Sequence, residues 1–354
     1  MMKDAGKSQV LRNGFTTGSA VTAAAVAAFR DPGEKVTLLL PGGGTLPIPV
    51  AEAAPGRASV VKDGGDDPDV TTGMTFRVTL TSFAGPAEPA DHEEAAEGLT
   101  LVIRGVSGVG IVTRPGLAVP VGKYAVNPGP RKMLLTNLLR AGCRGRYLVT
   151  IEAVDGENVA LRTLNPTLGI RGGISILGNS GIVRPYSNAA YAATIRLQLK
   201  SFAASGGRKA ALVTGNRSAD AVARDFPEIP AEGIVRIGDF IRVSLRAAAA
   251  AGLTEVVVGC MPGKLFKYAC GEENTHAHRS KLTLVKLREF GIELPGIPLE
   301  NMDSMGELSH HLTPGVWLDV LKKVHLRATE VLREWAGRTC VRAVLYNEKG
   351  EMIL

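Results

Sequence analysis

Lys62 is followed by Asp63, Asp66, Asp67 and Asp69, four carboxylates within seven positions of VKDGGDDPD. Carboxylates this close repel one another and raise at least one pKa unless cations or backbone N–H groups compensate. Such a group can bind a metal, orient a base or fix a ligand, and it equally describes a solvated turn. The spacing lacks the order of an EF-hand loop. His276 and His278 form a second chemical pair, but residues two apart do not share a helix face. No cysteine or carboxylate completes a metal set at the usual spacing, so no metal site is expected, and His276 is left as a polar or proton-handling group.

A third set is built from hydroxyls and glycine. Thr16, Thr17 and Ser19 precede an alanine- and valine-rich run that reads as a capped helix with small side chains on every face. The N-terminus of such a helix can sit deep in the protein and meet an anion or a polar ligand edge; an ordinary capped core helix is the alternative. Residues 165–185, NPTLGIRGGISILGNSGIVRP, interleave glycines with short β-branched runs. Glycine lets backbone approach a ligand closely, but the same pattern describes a sheet with bulges and tight turns. Other glycine signals fail as motifs. Gly108 and Gly110 are followed by Thr113 where a dinucleotide fingerprint needs its third glycine. Gly116 to Lys123 is one residue too long for a phosphate loop, and Gly259 to Lys264 one too short.

These groups need a scaffold, and the chain offers two. In the first, strands are predicted at Lys35–Leu40, Leu46–Val50, Thr75–Thr81, Leu99–Arg104, Tyr147–Ala153 and Val159–Thr163, with Asp155-Gly156 as a turn and a helix over Arg131–Gly142. A helix over Ser187–Ala204 ends at Ser205-Gly206-Gly207, taken as the domain boundary. Three β–turn–α units follow: Ala210–Thr214 with Ser218–Phe226, Gly233–Ile237 with Phe240–Ala251, and Glu255–Val258 with a helix after Pro262-Gly263. They predict a parallel sheet with right-handed crossovers. Ligands of such sheets sit beyond the strands' carboxyl ends, which gathers Gly215, Asn216, Gly238, Asp239 and Gly259 on one rim. Asp239 there suits a ribose diol, or simply caps its helix. A long helix over Val316–Trp335 and a terminal hairpin (Cys340–Tyr346, Glu351–Leu354) complete the chain, the hairpin being expected to return to the first sheet. The fold class is thus an α+β N-terminal domain with a mixed sheet (1–204) plus a smaller Rossmann-like α/β domain (205–337).

Composition narrows the chemistry. At 354 residues the chain holds two cores, and 41 basic against 34 acidic residues give a net charge of +7, which favours anionic partners. Aromatics at 5% argue against base stacking on nucleic acid. Cys143, Cys260, Cys270 and Cys340 are scattered, which fits reduced thiols in the cytoplasm. No stretch is apolar enough to span a membrane, and a homodimer is allowed.

Five segments in register resemble one family: GFTTGSAVTAAAVAA (14–28), VVKDGGDDPDVTTG (60–73), GVGIVTRPGLAVPVGKYAVNPGPRKM (108–133), NPTLGIRGGISILGNSGIVRPYS (165–187) and GKLFKYACGEENTHAH (263–278). Together they look like the CbiD family, the cobalt-precorrin-5B C(1)-methyltransferases of anaerobic cobalamin biosynthesis. The resemblance implies that S-adenosylmethionine methylates carbon 1 of a cobalt-containing macrocycle to give cobalt-precorrin-6A, the cobalt arriving with the substrate. Two places depart from the family pattern: Asn179-Ser180 stands where a threonine pair is usual, and AHRSKL replaces a more acidic continuation after His276.

On this reading the donor is expected at Gly215, Asn216, Gly238, Asp239, Gly259 and Lys264. The macrocycle is expected toward Thr16, Thr17, Ser19, Lys62, Thr113, Asn127, Gly172, Gly173, Ser175, Asn179, Ser180 and Gly181, its carboxylates held by arginines such as Arg114, Arg131 and Arg184. Asp63, Asp66 and His276 are the candidates for a base. A nicotinamide-dependent corrinoid reductase would need the dinucleotide fingerprint that is missing here. A non-catalytic tetrapyrrole carrier would need no second ligand site.

Overall fold

The computed structural model describes residues 11–30, 33–276 and 283–354, in two units, 1–187 and 188–354. The first unit is built on a mixed sheet. Helix α1 (Thr17–Phe29) is followed by the hairpin β1 (Lys35–Leu39) and β2 (Thr45–Pro49), paired antiparallel. Then come β3 (Glu52–Ala54), β4 (Arg57–Val61), β5 (Thr75–Ser82), β6 (His92–Ala96), β7 (Leu99–Gly105), α2 (Pro128–Arg140) and β8 (Gly145–Ala153). The sheet order is β3-β4-β5-β8-β7-β6, with β8 antiparallel to β5 and parallel to β7. Alternate residues Phe76, Val78 and Leu80 of β5 enter the core, the period-two pattern of a half-buried strand. Helix α1 is buried on all sides, its alanines letting β4, β5 and α2 come close.

Three local expectations fail, each for a physical reason. Residues 159–163 are not a strand: Asp155 takes a left-handed φ of 58° and starts the short helix Gly156–Ala160. Gly156 lies against Gly108, whose carbonyl oxygen would be 2.3 Å from an added Cβ, so the glycine marks a backbone contact and no hairpin turn. Strand β6, His-Glu-Glu-Ala-Ala, is absent from the predicted strands because an edge strand tolerates charges on its open side and so lacks a clear apolar alternation. Helix Asn188–Ala204 (α3) opens the second unit and does not close the first, since Ile195 and Leu199 enter the second unit's core.

The second unit continues with β9 (Lys209–Val213), α4 (Asn216–Asp225), β10 (Ile234–Arg236), α5 (Ile241–Ala250), β11 (Glu255–Cys260), α6 (Pro262–Ala269), α7 (Met305–Ser309), α8 (Pro314–Ala336) and β12 (Cys340–Leu345). Its sheet is parallel throughout, in the order β10-β9-β11-β12. The terminal strand therefore does not return to the first sheet: β12 pairs with β11 and completes the second one. Strand alternation divides the core. Ala210, Leu212, Val256 and Val258 face α3, α5, α6 and α8, while Ala211, Val213 and Val257 face α4.

The acidic turn after β4 proves to be a clasp, and each carboxylate has its own donors. Arg12 forks onto both oxygens of Asp63, and its main-chain N–H donates to Asp66 at 2.6 Å. Tyr186 N–H donates to Asp67 at 3.1 Å. Lys62, only 2% exposed, donates to Asp69 at 2.8 Å, and Thr71 adds its N–H and hydroxyl. The Arg12 hydrogen bond holds Asp63 below the usual carboxylate range. Burial alone would push Asp69 up, but Lys62 and Thr71 outweigh it and hold it low.

Two measurements check this architecture. Gly178 has φ 124° and an added Cβ would lie 2.4 Å from Thr16. Gly178→Ala should therefore cost about 2 kcal/mol or more in urea unfolding. Gly42→Ala, with open space around it, should change stability by less than about 0.5 kcal/mol. Asp69 titrates lower in the folded than in the unfolded chain, so its pairing stabilises above the unfolded value, near about 4. That contribution is lost as the pH falls through the folded value. Lys62→Met removes the cation and leaves only Thr71 against burial, so it should cost about 3 kcal/mol at about pH 7 and progressively less as Asp69 protonates; a loss that is the same in acid as at neutral pH contradicts the pairing.

Candidate functional site

The order of strands in the second sheet, all of which run parallel, reverses between its two central strands. From β9 the chain crosses by α4 to β10 on one side; from β11 it runs by α6 and α8 to β12 on the other. Helices α4 and α6 thus leave the sheet on opposite faces, and the loops that lead into them part. A crevice outside the carboxyl ends of the strands is the regular consequence in open α/β sheets. The structure has it: a cleft of about 890 Å³, lined from the β9 side by Thr214 to Ser218 and from the β11 side by Met261, Gly263, Lys264, Phe266 and Lys267. Thr283, Leu284, Asp303, Ser304 and Met305 form the remaining wall.

Of the six expected donor residues, Gly215, Asn216 and Lys264 line this cleft. Gly215 does not present a bare amide: the Ser218 hydroxyl accepts from the N–H groups of both Thr214 and Gly215 at 3.1 Å. Gly259 is inside β11, where an added Cβ would meet Val222 at 2.6 Å; it is glycine so that α4 can pack on the sheet. Gly238 turns the chain after β10 with φ 54°, beneath Tyr191, which stacks on Phe240. Asp239 does not line the cleft. Its carboxylate is taken by the Lys264 ammonium and, at 2.7 Å, by the Thr275 hydroxyl. Burial works to raise its pKa, and these two donors outweigh it and hold it low.

That arrangement positions cations on the cleft wall. Thr275 is 1% exposed and its hydroxyl also accepts from Lys264 at 2.7 Å. Its carbonyl accepts from Lys267 at 2.9 Å. Burial, with the neighbouring Lys264 charge, lowers the Lys267 pKa. The sequence reading missed Arg217, Lys267, Asp303 and Ser304. Two of them carried a local signal: Lys267 is one helical turn beyond Lys264, and Ser304-x-x-Glu307 is a capping pattern whose Ser304 hydroxyl accepts from Glu307 N–H at 3.1 Å.

In the first unit the hydroxyls expected to meet a ligand are instead bound within the chain. Thr17 Oγ1 accepts from Leu177 N–H at 2.8 Å and lies within donating distance of the Ser175 and Leu177 carbonyls. Ser19 Oγ donates to Gly181 O at 2.7 Å, and Thr16 N–H reaches the same oxygen at 3.1 Å. Gly18 N–H donates to Leu177 O at 3.0 Å. The open turn of α1 is therefore filled by residues 175–181. Gly173 packs on Gly108, and Gly181 faces Leu40 and Ser19.

Ser175 donates to Asn165 at 3.1 Å, Ser180 to Ile182 O at 3.0 Å, and Thr113 to Gly169 O at 2.7 Å. The Arg114 stem occupies the space a Gly169 side chain would need. Asn127 begins α2 and donates its N–H to Ile176 O at 2.9 Å. Arg131 pairs with Glu94 at 2.6 Å. Gly172, Asn179, Ser180 and Arg184 stay exposed.

Asp63 and Asp66 make poor bases, since Arg12 occupies both oxygens of the one and a main-chain N–H engages the other. Lys62 is a buried structural cation. His276 is exposed, with its N–H on the Asn274 side chain at 3.1 Å; His278 lies outside the described residues. Among the described residues, no three His, Cys, Asp or Glu side chains gather closely enough to hold a metal, and no helix is long and apolar enough to cross a membrane.

The CbiD family model matches residues 4–185, nearly the whole of the first unit. A cobalt-precorrin-5B C(1)-methyltransferase of Nitratidesulfovibrio vulgaris is 42% identical over 306 residues, covering 80% of this chain and 76% of its own. One from Citrifermentans bemidjiense is 37% identical over 359 residues, covering 97% and 98%. A crystal structure of a cobalamin biosynthesis protein (CbiD) from Archaeoglobus fulgidus is 27% identical, covers 76% of this chain and 83% of its own, and superposes with a TM-score of 0.40. With half the chain matched by the family model and relatives this similar along most of its length, the chain belongs to the CbiD family.

Proposed function

We propose that this chain transfers a methyl group from S-adenosylmethionine to carbon 1 of cobalt-precorrin-5B, giving cobalt-precorrin-6A and S-adenosylhomocysteine. The observation that carries the reading is the 42% identity, over four-fifths of the chain, to a protein named for that reaction. The cobalt is part of the substrate. In the transfer, the methyl–sulfur bond breaks as an electron pair on the ring carbon forms the new carbon–carbon bond, and the sulfonium becomes a neutral thioether. A reaction of this kind needs alignment more than a reactive side chain, and holding both partners in line accounts for much of the acceleration.

The donor's place on this reading is the cleft at the β9–β11 reversal. Its amino-acid end carries a carboxylate, an ammonium and the sulfonium. Lys264 and Lys267 suit the carboxylate, and Asp303 on the facing wall suits the cationic groups. Asp239 acts behind Lys264, fixing its ammonium at the wall. His276 is the group we retain for proton handling. The free cysteines fit a reducing compartment, and we assign the enzyme to the cytoplasm.

Calorimetry with S-adenosylhomocysteine tests the donor site. The wild-type chain should bind it, and Lys264→Met or Asp303→Asn should weaken binding by about 10-fold or more, the effect of one charge-assisted hydrogen bond. Undiminished affinity in both variants removes the donor from this cleft. Mass spectrometry of cobalt-precorrin-5B after incubation with enzyme and donor should show one added methyl; a product of unchanged mass refutes the activity.

A further inference from the structure

Beside the donor cleft lies a second cavity of about 420 Å³, and the two share Arg217, Met261 and Gly263 as a common wall. Helix α7 borders both, with Met305 on the first cavity and Gly306 and Ser309 on the second. Carbon methylation brings the donor methyl and the acceptor carbon to a near-attack distance of about 3–3.5 Å, so the acceptor's seat must adjoin the donor's.

The lining of the second cavity has the chemistry of such an acceptor. Trp317 offers an aromatic face, Pro262 and Ile353 are apolar, and Arg217, His310 and Lys349 are basic, against one carboxylate, Glu348. We propose that this cavity seats the reacting edge of the carboxylate-bearing macrocycle, with the ring against Trp317 and its acid side chains toward Arg217 and Lys349. The volume is at the small end of the roughly 300–1,000 Å³ of ligand pockets, so it takes one edge of the ring and leaves the remainder outside.

The far wall is preformed. The turn after β12 is fixed by the Asn347 side chain, whose Nδ2 donates to Glu351 at 2.6 Å and whose Oδ1 accepts from the N–H groups of Lys349 and Glu351 at 2.9 Å. Arg224 of α4 donates to Gly350 O at 2.7 Å, and Tyr346 N–H to Cys260 O at 3.0 Å. Lys349 is thus held at the cavity by a turn that costs little to order on binding. The hairpin expected to join the first sheet instead builds this wall.

The inference rests on the methyl-transfer reading, and its test separates the two. The probe is cobyrinic acid, a stable cobalt corrin with free carboxyl side chains, titrated into the full-length chain by absorbance and calorimetry. Lys349→Glu, on the exposed turn, and Trp317→Ala should each weaken cobyrinic acid binding by about 10-fold or more. Both should leave S-adenosylhomocysteine affinity within about two-fold, with melting curves like the wild type's. For cobalt-precorrin-5B, Lys349→Glu should raise KM and spare kcat at saturation.

Unchanged cobyrinic acid affinity in folded Lys349→Glu, a parallel loss of S-adenosylhomocysteine binding, or no cobyrinic acid binding by the wild-type chain would overturn the proposal. Lys349-dependent binding of the corrin, in a chain that binds no S-adenosylhomocysteine, would support this seat and refute the donor site.

Discussion

Main chain lies on main chain at the start of α1, and the first unit is arranged around that contact. A helix begins with amide groups that have no partner inside it. Here the Thr16 hydroxyl caps the Ser19 amide, while the amides of Thr16 and Gly18 and the hydroxyls of Thr17 and Ser19 meet the carbonyls of residues 175–181, more than a hundred positions later. The fit needs glycine where the strands of chain touch, at Gly18, Gly178 and Gly181. It also explains why α1 carries small side chains on every face. With its first turn sealed and its body buried, the helix has no side left for solvent.

The second unit obeys a different constraint. A parallel sheet needs a crossover after each strand, and crossovers of one hand leave opposite faces when the order of strands reverses. The reversal between β9 and β11 opens a crevice before any side chain is specified. Sequence then furnishes it. Lys264 and Lys267 project from one turn of α6, Thr275 and Asp239 brace them, and Met261 and Gly263 serve two cavities at once. Geometry comes from topology here, and charge comes from a few residues placed on it.

Much of this was legible in the chain itself. The alternation in Thr75–Thr81, the β–turn–α units after residue 205 and the length of the last helix all follow from short-range patterning, and the two sheets they imply are present. Gly215 and Asn216 could be placed because strand ends in a parallel sheet share a rim. What escaped was long-range. Nothing near Thr17 reveals that Leu177 will meet it, and nothing in the VKDGGDDPD turn reveals Arg12 as the cation that calms Asp63. A glycine needed for a neighbouring backbone, as at Gly173 or Gly259, looks in sequence like one needed for a ligand. The second cavity was hidden for the same reason, since its wall comes from a terminal hairpin whose sheet only the fold identifies.

Strand β12 lies at the sheet's edge, and the turn after it carries Tyr346 and Lys349 to the end of β11 and the cavity beside it. A change that peels β12 from β11 would thus move the cavity's wall along with the strand. Sheet edge and ligand seat are therefore one object, and neither can be reshaped without the other.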